Sequence, residues 1–131
     1  MQNRRDFLQT MAGVSAGLML TPTRLPFAPA MDKWGKVLPL RQFGSTGESV
    51  TMLGVGGYHV GWTSEKDAQE VIETAIESGI RFFDTAESYA NGESETRYGK
   101  YLVPRYRDQV YLMSKSTASD GTKARQHLRI H

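Results

Sequence analysis

Three side chains of complementary chemistry follow apolar runs in the middle of this 131-residue sequence. Asp84 comes directly after residues 80–83, and Tyr89 follows five positions later. Lys115 stands just beyond a second apolar run, residues 110–113. A phenol, an ammonium and a carboxylate brought to one place could form a proton-donor relay. In that relay Tyr89 is the donor, Lys115 tunes it, and Asp84 holds the lysine.

The energies involved make such a relay chemically reasonable. Free tyrosine titrates near about 10 and free lysine near about 10.4, so an unaided phenol is a reluctant acid at neutral pH. An ammonium about 4 Å away at an effective dielectric of about 20 is worth up to roughly 4 kcal/mol, or about three pK units. Desolvation alone would discharge the lysine, whereas a paired carboxylate keeps it positive. Each residue also has a plainer interpretation: Asp84 as a loop or capping residue, Tyr89 as a loop aromatic, and Lys115 as a solvated charge.

The elements around these residues alternate between strands and helices. Gly44 and Gly47 predict a hairpin turn, and residues 51–55 read as a strand that ends in paired glycines. Ser64 and Gly79 bound the clearest helix, with Asp67 in the capping position. The apolar face of that helix comprises Ala68, Val71, Ile72, Ala75 and Ile76. A second helix follows Gly92 and is predicted to end at Pro104, a third begins after Ser119, and residues 31–37 read as a flexible lead-in.

This order predicts an α/β fold with a parallel sheet built by crossover connections. A doubly wound sheet and a (β/α)8 barrel both fit the pattern. In either architecture, functional side chains gather where the strands end.

Several other kinds of site are disfavoured by the sequence. There is no cysteine, which excludes disulfides, a thiol nucleophile and cysteine-based metal sites. The paired glycines do not form a G-x-G-x-x-G motif, and Walker, G-x-S-x-G and H-E-x-x-H motifs are missing as well. His127 and His131 share helical spacing without a supporting carboxylate, so we predict no metal site.

Residues 31–131 carry 13 Lys+Arg and 13 Asp+Glu, which gives no electrostatic reason to expect a nucleic-acid partner.

Residues 1–30 have the layout of an export signal. Arg4 and Arg5 precede Phe7-Leu8, a short apolar stretch follows, and Ala28-Pro29-Ala30 supplies an A-x-A cleavage box. This pattern resembles a twin-arginine signal and predicts a periplasmic or secreted protein that engages the twin-arginine export machinery. The apolar stretch is too short for a stable membrane anchor. Two segments are therefore expected, the leader at residues 1–30 and the folded domain at residues 31–131.

Three stretches of the domain resemble the N-terminal part of the aldo-keto reductases. They read LRQFGSTGESVTMLGVGGY, GIRFFDTAESYANGESETRYGKYL and RDQVYLMSKS, in that order and with family-like spacing. The resemblance implies a (β/α)8 barrel closed at its bottom by an N-terminal hairpin. It also implies reduction of aldehyde or ketone substrates with NADPH and without a metal.

The resemblance assigns a role to each of the residues singled out above. Asp84, Tyr89 and Lys115 match three members of the family's catalytic tetrad, with Tyr89 as general acid to the carbonyl oxygen. Gly56, Gly57 and Tyr58 match the segment near the nicotinamide, and Asp84 lies close to its ribose.

The fourth tetrad member, a histidine, belongs at the end of the next strand, and His131 does not fit that place. A whole barrel takes roughly 250 residues, so we expect an incomplete barrel that does not bind NADPH measurably by itself. The alternatives are a non-catalytic regulatory or binding subunit and a fragment without function.

Overall fold

The computed structural model describes residues 30–127. Seven short strands are present in this part of the chain: β1 Met31–Asp32, β2 Gly35–Lys36, β3 Leu40–Gln42, β4 Ser49–Thr51, β5 Val55–Gly56, β6 Phe82–Asp84 and β7 Tyr111–Met113. The α-helices of the same part are α1 Gly57–Trp62, α2 Glu65–Glu77, α3 Glu93–Arg97, α4 Val103–Tyr106 and α5 Gly121–His127. The predicted leader, apart from its last residue, Ala30, lies outside the described residues, as does His131. Within residues 30–127, no helix combines the length and hydrophobicity needed to cross a bilayer.

Strands β5, β6 and β7 form a parallel sheet in that order, with Val55 opposite Phe83 and Phe82 opposite Tyr111. Helix α2 connects β5 to β6, and the helical segment from α3 to α4 connects β6 to β7. The sheet stays open over the described residues. The predicted α/β fold, the N-terminal portion of a (β/α)8 barrel that is incomplete, is confirmed.

The predicted hairpin is formed by β3 and β4, with Leu40 opposite Thr51. The single strand predicted over residues 51–55 is wrong, because the chain bends between β4 and β5. Thr51 Oγ1 makes two hydrogen bonds at the bend: it donates to the carbonyl of Leu53 at 2.7 Å and accepts from the backbone N–H of Arg81 at 3.1 Å.

The flexible lead-in predicted for residues 31–37 is also wrong. Strands β1 and β2 pair antiparallel, and the guanidinium of Arg81 contacts both carboxylate oxygens of Asp32 at 2.6 and 3.0 Å. An ion pair between residues far apart in sequence attaches this segment to the sheet, and the local composition did not reveal it.

Helix α2 follows its predicted signals. The Ser64 hydroxyl accepts from the Asp67 backbone N–H at 3.1 Å, and Gly79 adopts a left-handed φ of 90° just beyond the C-cap. Four of the five predicted face residues are buried, namely Ala68, Ile72, Ala75 and Ile76. Val71, the fifth, is exposed. The buried face packs on Phe83 and on the second helical segment, and this contact forms the core.

The second helical segment does not end at Pro104, contrary to prediction. A π-helical turn, Tyr98–Leu102, joins α3 to α4, and Pro104 lies in the first turn of α4. Proline is tolerated in the first turn because its missing N–H would have no intrahelical partner there. The helical segment therefore continues through the π-turn and past the proline to Tyr106.

Candidate active site

The three residues predicted to form a relay lie together at the carboxyl end of the sheet. The Lys115 ammonium forms an ion pair with Asp84 Oδ1 and donates to the Thr85 carbonyl at 2.7 Å. The same Nζ lies 5.0 Å from the centroid of the Tyr89 ring. The ammonium thus pairs with the carboxylate and lies over the aromatic ring, so the three predicted residues share one place.

The sheet brings Asp84 and Lys115 together through its register. Asp84 pairs with Met113 across the parallel strands. The ladder then continues past the strand ends, because Thr85 N donates to the Met113 carbonyl at 2.7 Å and Glu87 N donates to the Lys115 carbonyl at 3.1 Å. Two neighbouring parallel strands that end level with each other deliver their following residues to one edge.

Tyr89 is brought over this edge by a tight turn. Its N–H donates to the carbonyl of Ala86 at 3.0 Å, and the two residues that follow, Ala90 and Asn91, have left-handed φ values of 51° and 55°. Left-handed backbone is unfavourable for alanine and persists only where surrounding contacts impose it. Ala90 packs closely on α1 here, because a Cβ built on Gly61 would stand only 2.8 Å from the Ala90 Cβ.

The charges at the site remain open to solvent. The side chains of Asp84 and Lys115 are 28% and 44% exposed. Burial lowers the pKa of Lys115, but its hydrogen bonds to Asp84 and Tyr89, together with the charges of those groups, raise the pKa above its usual value. Lys115 is therefore an ammonium at neutral pH and can stabilise negative charge on a neighbouring oxygen.

The segment Gly56-Gly57-Tyr58 divides into two parts with different surroundings. A Cβ on Gly56 would meet nothing within 4 Å, so the backbone there is open to close approach. A Cβ on Gly57 would stand 2.5 Å from the Asp84 carbonyl and 2.7 Å from Ser94 Oγ. Gly57 therefore permits tight packing beneath the site, whereas Gly56 leaves room above it.

Tyr58 extends the open surface toward the relay. Its ring is 51% exposed and stands edge-on to Tyr89, with centroids 5.5 Å apart. An accessible backbone at Gly56 beside an exposed aromatic ring suits a flat cofactor ring, so the residues present fit a nicotinamide.

Ser94 is a site residue that the sequence reasoning missed. It is fully buried, its hydroxyl donates to the Gly57 carbonyl at 2.8 Å, and it lies 2.8 Å from Thr85 Oγ1. Ser94 thereby ties α3 to the ends of both β5 and β6. The signal that could have found it is a small hydroxyl residue four positions before the buried Tyr98, on the same face of the helical segment.

Tyr98 lies behind the site. Its ring packs edge-on against Phe83, and its hydroxyl is buried without a hydrogen-bond partner among the described residues. Burial, followed by the charge of Asp84, raises the pKa of Tyr98. Of the two tyrosines near Asp84, Tyr98 stays protonated inside the protein, and Tyr89 is the one at the surface.

His127 lies at the end of α5 and faces Glu87, with 2.7 Å between Nδ1 and Oε2. Over residues 30–127, no three potential metal-binding side chains come together. His131, its partner in the metal site considered above, lies outside the described residues.

Comparison with known proteins places this chain in a family. The aldo/keto reductase family model matches residues 52–131, which is more than half of the chain. A D-threo-aldose 1-dehydrogenase of Pseudomonas sp is 36% identical over 76 residues, covering 55% of this chain and 23% of the relative. An uncharacterized 11.2 kDa protein of Pseudescherichia vulneris is 33% identical over 102 residues, covering 70% of this chain and 98% of that protein.

The structural comparison agrees with the sequence comparison. An aldo-keto reductase from Bacillus halodurans, solved in its holo form, superposes with a TM-score of 0.55 and 31% sequence identity. The superposition covers 59% of this chain and 25% of the solved one, so the chain spans about a quarter of that reductase. The match includes β5, β6, β7 and the residues at their carboxyl ends, and we conclude that the chain belongs to the aldo/keto reductase family.

Proposed function

We propose that this chain carries the proton-donating part of an NADPH-dependent oxidoreductase that reduces aldehyde or ketone carbonyls. The observation that carries the proposal is the position of the Lys115 ammonium, paired with Asp84 and 5.0 Å from the Tyr89 ring centroid. Membership of a family of oxidoreductases supports the reaction class.

In the proposed reaction, Tyr89 acts on the oxygen of the substrate carbonyl. When bound, NADPH would supply a hydride to the carbonyl carbon. The Tyr89 hydroxyl gives its proton to the carbonyl oxygen, so the product is an alcohol and the tyrosine is left as a phenolate. The Lys115 ammonium stabilises that phenolate until solvent returns the proton, and Asp84 holds the ammonium in place. Charge stabilisation by a group already in position is the form of catalysis that costs least reorganisation.

We propose that Gly56 and Tyr58 form the surface against which the nicotinamide lies. Gly56 offers backbone without a side chain in the way, and Tyr58 offers an exposed ring beside Tyr89. Asp84, besides pairing with Lys115, is proposed to contact the ribose of the cofactor. Gly57 contributes from below, since its missing side chain lets Ser94 hold the strand ends together.

The test uses a completed barrel, because the chain spans about a quarter of the solved reductase. Residues 52–116 replace the matching segment of the Bacillus halodurans enzyme, and carbonyl reduction is followed by loss of NADPH absorbance. Tyr89→Phe should lower kcat by about 10²- to 10⁴-fold, the usual contribution of a general acid, while leaving the melting temperature unchanged. The matched control is Tyr111→Phe, which removes a hydroxyl from a strand residue outside the relay. Retention of full activity by the Tyr89→Phe chimera would refute the proposed role.

We also propose that this protein is exported by the twin-arginine route. The support is the paired Arg4-Arg5 with Phe7-Leu8 ahead of the short apolar stretch. Replacing both arginines by lysine should retain the protein in the cytosolic fraction of its source cell, whereas the unaltered protein should appear in the periplasm or medium. Finding the unaltered protein only in the cytosol would refute export.

A further inference from the structure

The carboxylate of Glu87 joins the two loops that carry the relay. One oxygen, Oε1, accepts from the backbone N–H of Thr117 at 2.6 Å and also from the Thr117 hydroxyl. The other, Oε2, lies 2.7 Å from Nδ1 of His127 in α5. Glu87 belongs to the loop after β6, and its partners belong to the loop after β7 and to the helix that follows it.

These contacts lengthen the ladder between the two strands. Backbone hydrogen bonds link Thr85 to Met113 and Glu87 to Lys115. Beyond Lys115, the N–H of Thr117 donates to the side chain of Glu87 instead of to a backbone carbonyl. Glu87 therefore holds the main chain at two points. Its N–H bonds the carbonyl of Lys115, and its carboxylate bonds the N–H of Thr117, two residues further on.

The burial and charge of Glu87 suit a permanent connection. Its side chain is 17% exposed, less than that of either Asp84 or Lys115. The hydrogen bonds from the hydroxyl and the backbone of Thr117 lower the pKa of Glu87 to about 2. The group is therefore a carboxylate throughout the neutral range, and its hydrogen bonds from Thr117 are charge-assisted.

The same connection reaches α5 through one nitrogen. Nδ1 of His127 lies 2.9 Å from Ser116 Oγ as well as 2.7 Å from Glu87 Oε2. Because the serine and the carboxylate share that nitrogen, the three groups do not form a relay in which one ring nitrogen serves each partner. The arrangement is a clamp on residues 115–117 and not a second catalytic site.

We propose that Glu87 is a positioning residue that holds the Lys115 ammonium against Asp84 and beside the Tyr89 ring. Glu87 stands two residues before Tyr89 and fastens the chain two residues after Lys115, so it fixes the separation of the loops that present them. Its importance to catalysis rests on the proposed function, whereas its effect on Lys115 does not.

The test measures how readily Lys115 reacts in the full 131-residue chain. Trace acetic anhydride labels all lysines in competition, and peptide mass spectrometry gives the rate at Lys115 relative to Lys100. Lys100 is a suitable internal reference because it is ion-paired to Glu65 at the distant contact between helical segments. Glu87→Ala should accelerate labelling of Lys115 by about two- to fivefold, the range that loss of an exposed ion pair allows, with Lys100 unchanged.

Two variants calibrate the result. Asp84→Asn removes the direct partner and should accelerate Lys115 at least as much as Glu87→Ala does. Glu87→Gln keeps an oxygen that can accept from Thr117, so Lys115 should react within about twofold of its original rate, since neutral hydrogen bonds retain roughly half the strength of charge-assisted ones.

An unchanged Lys115 rate in Glu87→Ala, with a raised rate in Asp84→Asn, would overturn the proposal. If Glu87→Ala accelerates every lysine, the fold has loosened, and Thr117→Val then decides. That variant deletes one hydroxyl on an exposed residue, and it must accelerate Lys115 alone for the proposal to stand. A Tyr89→Phe chimera that still reduces carbonyls would refute the proposed function without altering the labelling result.

Discussion

The two ends of strand β6 carry opposite kinds of charged site. Arg81 comes just before the strand, and its side chain is only 6% exposed. It donates twice to Asp32 and once each to the carbonyls of Ile76 and Ile80, the last two at 2.7 and 2.9 Å. Asp84 ends the same strand, and its ion pair with Lys115 is half exposed.

The Arg81–Asp32 ion pair is buried and supports the fold, whereas the Lys115–Asp84 ion pair is exposed and available for chemistry. Four of the five guanidinium N–H groups of Arg81 donate to oxygens of the protein, so most of its hydrogen-bonding capacity serves the fold. Lys115 has an aromatic hydroxyl residue beside it and solvent around it. This agrees with the general division of such barrels, in which one end of the strands maintains the fold and the other carries the reaction.

Breaking the buried pair should give the largest loss of stability. Arg81→Met leaves Asp32 without its partner and the carbonyls of Ile76 and Ile80 without a donor, so the free energy of unfolding should fall by about 3 kcal/mol or more. Urea unfolding followed by circular dichroism measures this. Arg41→Met, at an exposed position in β3, is the matched control and should change stability by less than about 0.5 kcal/mol. Equal effects of the two variants would show that Arg81 is not structural.

The sequence predicted the residues at the carboxyl end of β6, around Asp84, better than those at its amino end, around Arg81. Asp84, Tyr89 and Lys115 could be found because each follows an apolar run, and the ends of parallel strands meet at one edge. Arg81 lies inside the run of residues 80–83, where nothing local marks it as a partner of Asp32, and Asp32 lies in the segment predicted to be flexible. The pairing spans 49 positions in the sequence, and no local pattern encodes a contact at that distance.

The helices show the same limit. The cap and the buried face of α2 followed from residues three and four apart, which are neighbours on one helix. The π-turn before Pro104, the exposure of Val71 and the burial of Ser94 depend on what packs against each residue. Those neighbours are set by the whole fold, so local periodicity did not reveal them.

Two glycine substitutions compare a closely packed position of the site, Gly57, with an open one, Gly56. Gly57→Ala would place a Cβ 2.5 Å from the Asp84 carbonyl, so we expect it to lower the free energy of unfolding by about 1–3 kcal/mol. Gly56→Ala meets open space and should change stability by less than about 0.5 kcal/mol. Thermal unfolding of both variants checks this. If Gly56→Ala is the more destabilising, the division of the two glycines is wrong.

Acid should weaken the Arg81–Asp32 ion pair, with a smaller loss of stability than the Arg81→Met substitution causes. The hydrogen bond to Arg81, opposed by burial and aided by the Trp34 N–H, lowers the pKa of Asp32. A carboxyl with a lowered folded pKa contributes stability above its unfolded value of about 3.9, and that stability is lost as pH falls through the folded value. Between about pH 6 and about pH 3 the unaltered chain should therefore lose more of its unfolding free energy than Asp32→Asn does. Parallel urea-midpoint curves for the two proteins would contradict this.

The central claim is that the Lys115 ammonium lies beside the Tyr89 ring at the edge of the sheet. Nuclear Overhauser contacts between the Lys115 ε-methylene and the Tyr89 ring protons in the full chain test it most directly, with Lys115→Arg used to assign the lysine signal. We predict a clear contact together with an upfield ring-current shift of the ε-methylene protons. Absence of both, in a sample where the contacts between Phe83 and Tyr98 are present, would contradict the account.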